Sequence, residues 1–92
     1  MIPNPASTQD AQEKQRLFIE RARKGVVKFV SEKGVPVDLG MLHDFTFQKF
    51  FIQHQALSRL IEGLIEDGLL AHNEEAGEFY LTDQGKALAA QG

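Results

Sequence analysis

The 92-residue chain contains no cysteine and no tryptophan, and it has only one tyrosine and three prolines. Without cysteine, neither disulfides nor thiolate metal sites can form. No apolar run approaches the ~20 residues that a membrane-spanning helix needs. Residues 1–10 lack the basic start and apolar segment of a secretory signal. We therefore expect a cytoplasmic protein of one domain, with a small core and no role at a membrane.

Residue patterns typical of catalysis or cofactor binding are also missing. His43, His54 and His72 fall on three different predicted elements, without the i, i+4 spacing of a metal site. Ser58 has no recognisable base or oxyanion loop, and no glycine-rich phosphate loop occurs. We expect no enzymatic activity, no catalytic residues, no cofactor and no metal. Each histidine should lie at the surface or at its boundary.

Charged residues are present but unevenly distributed. Residues 10–33 hold seven basic and four acidic residues, whereas residues 34–92 hold three basic and nine acidic ones. The net charge of −3 argues mildly against a nucleic-acid partner. Basic residues mixed with acids are also common on any solvated helix face. Opposite charges in two parts of one chain would suit a homodimer or a charged protein partner.

The clearest local pattern lies in residues 54–70, where large apolar residues recur at helical spacing. They predict a helix over 54–67 with one apolar stripe, formed by Leu57, Leu60, Ile61, Leu64 and Ile65. Gly68 is predicted to end this helix in the left-handed conformation, which glycine adopts at little cost. A strand over 69–72 should follow directly.

The preceding residues predict a disordered lead-in over 1–9, and then a single domain over 10–92. A first helix over 11–33 would begin with a capping box of Asp10 and Glu13 and end before Gly34. Its apolar face comprises Phe18, Ala22, Val26, Phe29 and Val30. Residues 35–37 predict a short edge strand, because Pro36 cannot donate to a ladder. Asp38 is the predicted N-cap of a second helix over 39–48.

After the glycine stop, the pattern predicts a hairpin and a short last helix. A polar turn over 73–77 separates the strand over 69–72 from a returning strand over 78–81. Thr82 and Asp83 should then cap a helix that ends near Ala90.

The four phenylalanines between residues 45 and 51 leave two interpretations open. In one, residues 50–52 pack in the turn beneath the third helix. In the other, one or two of the rings are exposed as a partner-binding patch, for which Phe47, Phe50 and Phe51 are the candidates.

Two segments resemble winged helix-turn-helix regulators. Residues 57–70 look like the segment that runs from the recognition helix into the wing. Residues 80–88 contain Leu-Thr-x-x-Gly and look like the strand that leaves the wing in bacterial-type regulators of the MarR and PadR families. The resemblance implies an α+β fold over residues 35–90, with a three-helix core, a small antiparallel β-wing and a short C-terminal helix.

One departure and one further similarity qualify this resemblance. Such regulators usually carry a small residue in the second helix and a glycine at the helix-helix turn, whereas the matching positions, near Phe47 and Phe51, are bulky here. We therefore expect the turn geometry to differ. Residues 44–46, followed by the apolar helix and a tyrosine-containing wing, are similar to the small winged-helix D protein encoded with dissimilatory sulfite reductase.

The resemblance implies a DNA-binding transcription regulator that forms a homodimer. Candidate DNA contacts are the polar residues at the start of the third helix and one preceding lysine, because glutamine pairs well with adenine and arginine with guanine. They are His54, Gln55, Ser58, Arg59 and Lys49. The wing offers three glutamates rather than cations, which weakens phosphate binding. The alternative is a protein–protein interaction module on the same scaffold that does not bind DNA.

Overall fold

The computed structural model describes the backbone of residues 5–91 and the side chains of residues 13–91. The elements in order are α1 (Pro5–Lys33), β1 (Val37–Asp38), α2 (Leu39–Phe50), α3 (His54–Glu66), β2 (Leu70–Asn73), β3 (Glu78–Leu81) and α4 (Asp83–Gln91). The strands form one antiparallel sheet in the order β1-β3-β2. This is the predicted α+β winged helix, in which β2, β3 and the turn between them form the wing.

The first helix is longer than its sequence pattern predicts. It begins at Pro5 rather than Ala11, so Asp10 lies inside the helix and the predicted capping box is wrong. Proline fits a first helical turn, because its fixed φ suits the helix and its missing N–H would have no partner there. The predicted end is confirmed: Gly34 has φ +68° and follows Lys33. Residues 1–4 of the predicted lead-in lie outside the described residues, and the boundary at residue 9 stays a prediction.

Gly25 lies in the interior of α1, where glycine normally weakens a helix by ~1 kcal/mol relative to alanine. A Cβ atom at this position would lie 2.7 Å from Cζ of Phe50. Because Gly25 has no side chain, the Phe50 ring can pack directly against the backbone of α1. The same ring meets Phe18 and Phe45 edge to face, at centroid distances of 6.2 and 6.1 Å. Phe50 is thus a packing residue between α1 and α2.

The second helix begins as predicted and ends two residues later than predicted. Asp38 caps it, and its Oδ1 accepts a hydrogen bond from the backbone N–H of Met41 at 2.8 Å. Thr46 is fully buried, and its hydroxyl donates to the carbonyl oxygen of Leu42 at 2.8 Å. The small residue expected at the core of α2 is therefore Thr46, and its bulky neighbour Phe47 points outward with 48% of its surface exposed.

Phe51 takes the left-handed conformation at the end of α2, with φ 57° and ψ 31°. Its N–H donates to the carbonyl oxygen of Phe47 at 3.0 Å, and the N–H of Ile52 donates to that of Thr46 at 3.2 Å. These bonds are those of a helix end normally closed by glycine. The expected change in turn geometry is therefore wrong: Phe51 adopts the glycine-type conformation, at a cost of order 1–2 kcal/mol.

The third helix supplies the central part of the core. Four of the five predicted stripe residues are buried, namely Leu57, Leu60, Ile61 and Leu64. Ile65 is 38% exposed, because it lies at the edge of the stripe in the last turn, which corrects its predicted burial. The helix packs against the apolar side of α1, where Ala22, Val26 and Val30 are buried as predicted and Val27 joins them. Phe18 is the exception on α1, with 45% of its surface exposed.

The two segments that resemble winged-helix regulators meet at one tight contact, which we call the Gly68 joint and define by Gly68, Leu69, Thr82 and Gly85. Gly68 has φ +75° and ends α3 as predicted. The Thr82 hydroxyl donates to the carbonyl oxygen of Gly68 at 2.5 Å and accepts the N–H of Gly85 at 3.1 Å. A Cβ at Gly85 would lie 2.1 Å from the carbonyl oxygen of Leu69. Glycine at position 85 is therefore required for α4 to approach β2.

The strands follow the prediction closely. β3 pairs with β2 in the register Leu70↔Leu81, and with β1 in the register Val37↔Phe79. β1 is a two-residue edge strand that begins two residues later and ends one residue later than the predicted strand over 35–37. Leu70, Leu81 and Phe79 turn their side chains into the core. The turn of the wing is closed by the Gly77 N–H, which donates to the carbonyl oxygen of Asn73 at 2.8 Å.

Candidate nucleic-acid interface

The outer face of α3 is the surface on which most of the candidate DNA-contacting residues lie. Because α3 buries its apolar stripe, the helical repeat turns Gln55, Ser58 and Arg59 toward solvent, and all three side chains are exposed. They occupy the N-terminal half of the helix, which begins at His54. Helix-turn-helix proteins bring this end of the recognition helix to the base edges.

The other candidates are the first residue of α3 and a lysine of α2. The ring of His54 is 5.8 Å from that of His43 on α2. The Ser58 hydroxyl donates to the carbonyl oxygen of His54 at 3.3 Å, so it is held locally. Lys49 is exposed in the last turn of α2. His72, on β2, stacks on Phe79 at a centroid distance of 4.4 Å. The three histidines thus lie at the surface or its boundary, as predicted.

Charge changes sign along the outer face of α3. The first two turns carry Arg59 and no acid, whereas Glu62 and Glu66 are exposed farther along. The acid that follows the helix, Asp67, accepts an ion-pair hydrogen bond from the guanidinium of Arg23 on α1. Arg23 thus offsets one of the three acids at this end. The sequence could not show this pair, because its members are 44 residues apart.

The wing carries acidic side chains beside this helix. Glu74 and Glu75 are exposed in its turn, and Glu78 at the start of β3 is half-buried. Tyr80, on the same strand, is 44% exposed. A wing that contacts phosphate would need cations at its tip. The described turn of the wing, residues 73–77, carries two glutamates and no lysine or arginine, so it is poorly suited to phosphate contact.

A groove between α1 and α3, here called the α1–α3 groove, lies next to the candidate residues. Gln55 and Arg59 form part of its wall, together with Phe18 and Ile19 of α1. Phe18 and Ile19 are 45% and 44% exposed. An apolar groove with two such exposed side chains is the kind of surface that a protein partner covers. The sequence missed this groove because the apolar face of α1 was expected to be covered throughout.

The three phenylalanines predicted as a partner-binding patch do not share one surface. Phe50 is half-buried between α1 and α2, as described above, whereas Phe51 is 79% exposed at the α2–α3 turn. Phe47 stacks beside the ring of His43, at a centroid distance of 6.1 Å. Both sequence interpretations thus hold in part, since residues 50 and 52 pack inward and residues 47 and 51 face solvent. A partner-binding role for Phe47 and Phe51 stays a prediction.

The described residues form neither a metal-binding cluster nor a membrane-spanning helix. Among residues 13–91, no group of three or more histidine, aspartate or glutamate side chains is placed to hold a metal ion. Along the helices that the structure describes, none has the length and apolarity needed to cross a membrane.

The element order, the buried side of α3 and the three-stranded sheet define a winged-helix protein. The crystal structure of SSV1 F-93 is similar to this chain, with a TM-score of 0.61 and 21% sequence identity, and the match covers 75% of this chain and 79% of that one. At this identity the likeness supports the winged-helix fold. In sequence comparisons, neither a protein family nor a curated protein matches this chain. The finer resemblances, to MarR and PadR regulators and to the D protein, stay predictions.

Proposed function

We propose that this chain is a non-enzymatic, DNA-binding transcription regulator that inserts the N-terminal half of α3 into the major groove of a duplex. The observation that carries the proposal is the outer face of α3, where Gln55, Ser58 and Arg59 are exposed together on a helix whose opposite side is buried. The proposal is supported by helix-turn-helix proteins, in which the N-terminal residues of the recognition helix contact base edges.

The distribution of charge on α3 supports contact at its start rather than along its full length. The carboxylates of Glu62 and Glu66 would repel phosphate if the helix lay flat along the groove. If only the first two turns enter the groove, Arg59 is the nearest cation to the bases. Arg59 is then suited to guanine and Gln55 to adenine, while Lys49 and His54 contact the backbone at the rim.

The first experiment titrates a fluorescent random duplex with the protein and measures anisotropy at 50 to 200 mM salt. We expect micromolar or tighter binding at 50 mM salt and a steep fall as salt increases, since phosphate contacts release counterions. Arg59→Glu should weaken this binding by about tenfold or more, because it puts a carboxylate where a cation would meet the charged duplex. Lys86→Glu, on α4, is the matched control and should retain most of the affinity.

The proposal is wrong if the wild-type chain shows no binding at 50 mM salt, where non-specific affinity is strongest. If the chain binds but Arg59→Glu has no larger effect than Lys86→Glu, the assignment of α3 as the recognition helix is wrong.

A second candidate function, a protein–protein interaction module without DNA binding, is favoured by one specific observation, the α1–α3 groove. Its exposed side chains Phe18 and Ile19 lie on the part of α1 where every side chain from residue 13 to residue 20 is exposed. The occupant that we propose is a second copy of this chain, because an isologous contact would cover these residues on both copies. Because Gln55 and Arg59 form part of the groove wall, a homodimer through this groove would compete with insertion of α3 into DNA.

Light scattering after size exclusion tests the homodimer. We expect a dimer for the wild-type chain and a monomer for Ile19→Glu, since that change places a carboxylate in the groove. Glu20→Gln, at the next position, should leave the dimer intact. A monomeric wild-type chain at about 100 μM would contradict the homodimer. A dimer that does not bind DNA at 50 mM salt would favour the second function.

A further inference from the structure

Four of the cations of α1 lie on one side of the helix. Lys14, Arg21, Lys24 and Lys28 are separated by seven, three and four residues, so they fall on one helical face. All four side chains are exposed. At 1.5 Å per residue the row is about 21 Å long. We call this surface the basic face of α1.

The other cations of α1 are occupied by neighbouring groups. Arg16 lies 4.0 Å from the carboxylate of Glu13. Arg23 pairs with Asp67 of α3, and Lys33 lies over the ring of Phe29 at 5.4 Å from its centroid. Among the described side chains, no carboxylate lies within ion-pair distance of Arg21, Lys24 or Lys28. The cations of α1 thus form two groups. Arg16, Arg23 and Lys33 each have a neighbouring partner, whereas the cations of the basic face are exposed to solvent.

The basic face is distinct from the surfaces by which α1 packs on α2 and α3. Gly25 and Phe29 lie toward the rings of Phe50 and Phe45, while Ile19 and Ala22 lie toward α3. Lys24 and Lys28 flank a shallow groove between α1 and the end of α4. The row is therefore separate from the α1 surfaces that pack on α2 and α3, although Lys24 and Lys28 border α4. Its cations form no ion pair with the described carboxylates of α3.

We propose that the basic face of α1 is a second DNA-contacting surface, which binds the phosphate backbone of duplex DNA without contacting bases. The proposal rests on the proposed function, and it adds a contact that α3 and the acidic wing do not provide. One DNA strand advances 3.4 Å per phosphate along the duplex axis, so a row of about 21 Å spans roughly six phosphates. Three exposed cations in the last two turns of the row suit such a regular polyanion.

Other occupants match the basic face less well. An anionic lipid surface would require a broad apolar side next to the cations, whereas Leu17 is the one large apolar residue within the row. The acids of a second copy are divided between α1, the start and middle of α2, the outer face of α3, the wing and the start of α4, so they form no row of similar length among the described residues. Repeated backbone phosphate is the better match in charge and spacing.

The test compares two double variants that remove the same charge from different places. Lys24→Gln/Lys28→Gln neutralises half of the basic face, and Lys33→Gln/Lys86→Gln neutralises two lysines outside it. Each is titrated with the fluorescent duplex at several salt concentrations, and circular dichroism checks that each is folded. We expect the slope of log affinity against log salt to become shallower by about 1.8 for the first variant, at ~0.9 per lost phosphate contact. The second should change it by less than about 0.5.

The outcomes separate this inference from the proposed function. If the two double variants change the salt slope equally, the basic face is not a DNA contact. If Lys24→Gln/Lys28→Gln keeps the wild-type salt slope while Arg59→Glu weakens binding, the basic face is again not a DNA contact, and the α3 proposal stands. If the slope of log affinity against log salt becomes shallower for Lys24→Gln/Lys28→Gln and Arg59→Glu does not weaken binding, the inference stands and the assignment of α3 as the recognition helix fails. A wild-type chain that binds no duplex overturns both. Tighter binding to phosphatidylserine vesicles than to duplex overturns the inference alone.

Discussion

The two ends of α3 are built differently. At its C-terminal end, the Gly68 joint fixes the helix through hydrogen bonds from Thr82 and the close approach of Gly85 to Leu69. At its N-terminal end, Gln53 caps the helix without a side-chain hydrogen bond, and Phe51 holds a left-handed conformation with its ring in solvent. The C-terminal end is held by hydrogen bonds and close packing. The N-terminal end has a strained residue before it and an N-cap without a side-chain hydrogen bond.

This difference indicates where the chain tolerates a stability cost. Backbone strain that persists in a folded protein is often found at a binding site. The strained turn precedes the residues that we propose to contact DNA, and the unstrained joint lies at the opposite end. Four substitutions test whether the two ends of α3 contribute differently to stability. They are given from the largest to the smallest expected change in the free energy of unfolding.

Gly85→Ala should have the largest effect. Its Cβ would overlap the carbonyl oxygen of Leu69, a backbone atom that cannot move without displacing β2. We expect a loss of about 3 kcal/mol in denaturant unfolding. Gly63→Ala is the matched control, since a Cβ at Gly63 meets nothing within 4 Å and alanine is the better helix former. If both substitutions stabilise the protein, the Gly68 joint is not a close contact.

Thr82→Val should cost about 2 kcal/mol. It keeps the shape of the side chain but removes the hydroxyl that joins the Gly68 carbonyl oxygen to the Gly85 N–H, leaving both groups without that partner. Thr82→Ser, which keeps the hydroxyl, is the control and should be closer to wild type in the same unfolding measurement. A valine variant as stable as wild type would show that these two hydrogen bonds do not contribute to stability.

Phe51→Gly should stabilise the protein by about 0.5–1 kcal/mol. Glycine relieves the left-handed strain, and part of that gain is offset by its greater freedom in the unfolded chain. Phe51→Ala removes the ring but keeps the strain, so we expect little change in stability. The duplex titration is then repeated on both variants. Weaker binding by both would show that the ring is used in binding, whereas an unstable Phe51→Gly would contradict the comparison of the two ends.

Gln53→Ser should have the smallest effect, a gain of about 0.5 kcal/mol. The backbone at Gln53 already has an N-cap conformation, with φ −85° and ψ 169°, and a serine hydroxyl there can accept the N–H of a residue in the first turn. Gln53→Ala provides no acceptor and should give no gain. The thermal midpoint of both variants measures the difference. A higher midpoint for Gln53→Ala alone would show that the missing side-chain cap hydrogen bond does not limit stability at this end of α3.

Much of the fold could be predicted from local patterns. The apolar spacing of α3, the stop at Gly68 and the Asp38 cap depend on residues within one or two helical turns, so the sequence alone indicates them. The limits of β3 were predicted for the same reason. The start of α1 was not, because a capping-box pattern at Asp10 and Glu13 competes with a proline that suits a first turn.

The candidate site was only partly predictable. The exposure of Gln55, Ser58 and Arg59 followed from the period of α3, and the structure agrees. Their proposed role remains a prediction. The position of Phe50 could not be predicted, because it depends on space that Gly25 provides on another helix.

The sequence by itself therefore determined the order of the elements, the buried side of α3 and the unequal distribution of charge. The tertiary structure decided which of those charges face solvent, since the pair of Arg23 and Asp67 joins residues far apart in the chain. It also showed that residue 85 must lack a Cβ because it lies against the carbonyl oxygen of Leu69, and that Phe51 adopts a glycine-type turn. Local spacing sets local structure, whereas the close approach of two distant segments is visible only once the chain has folded.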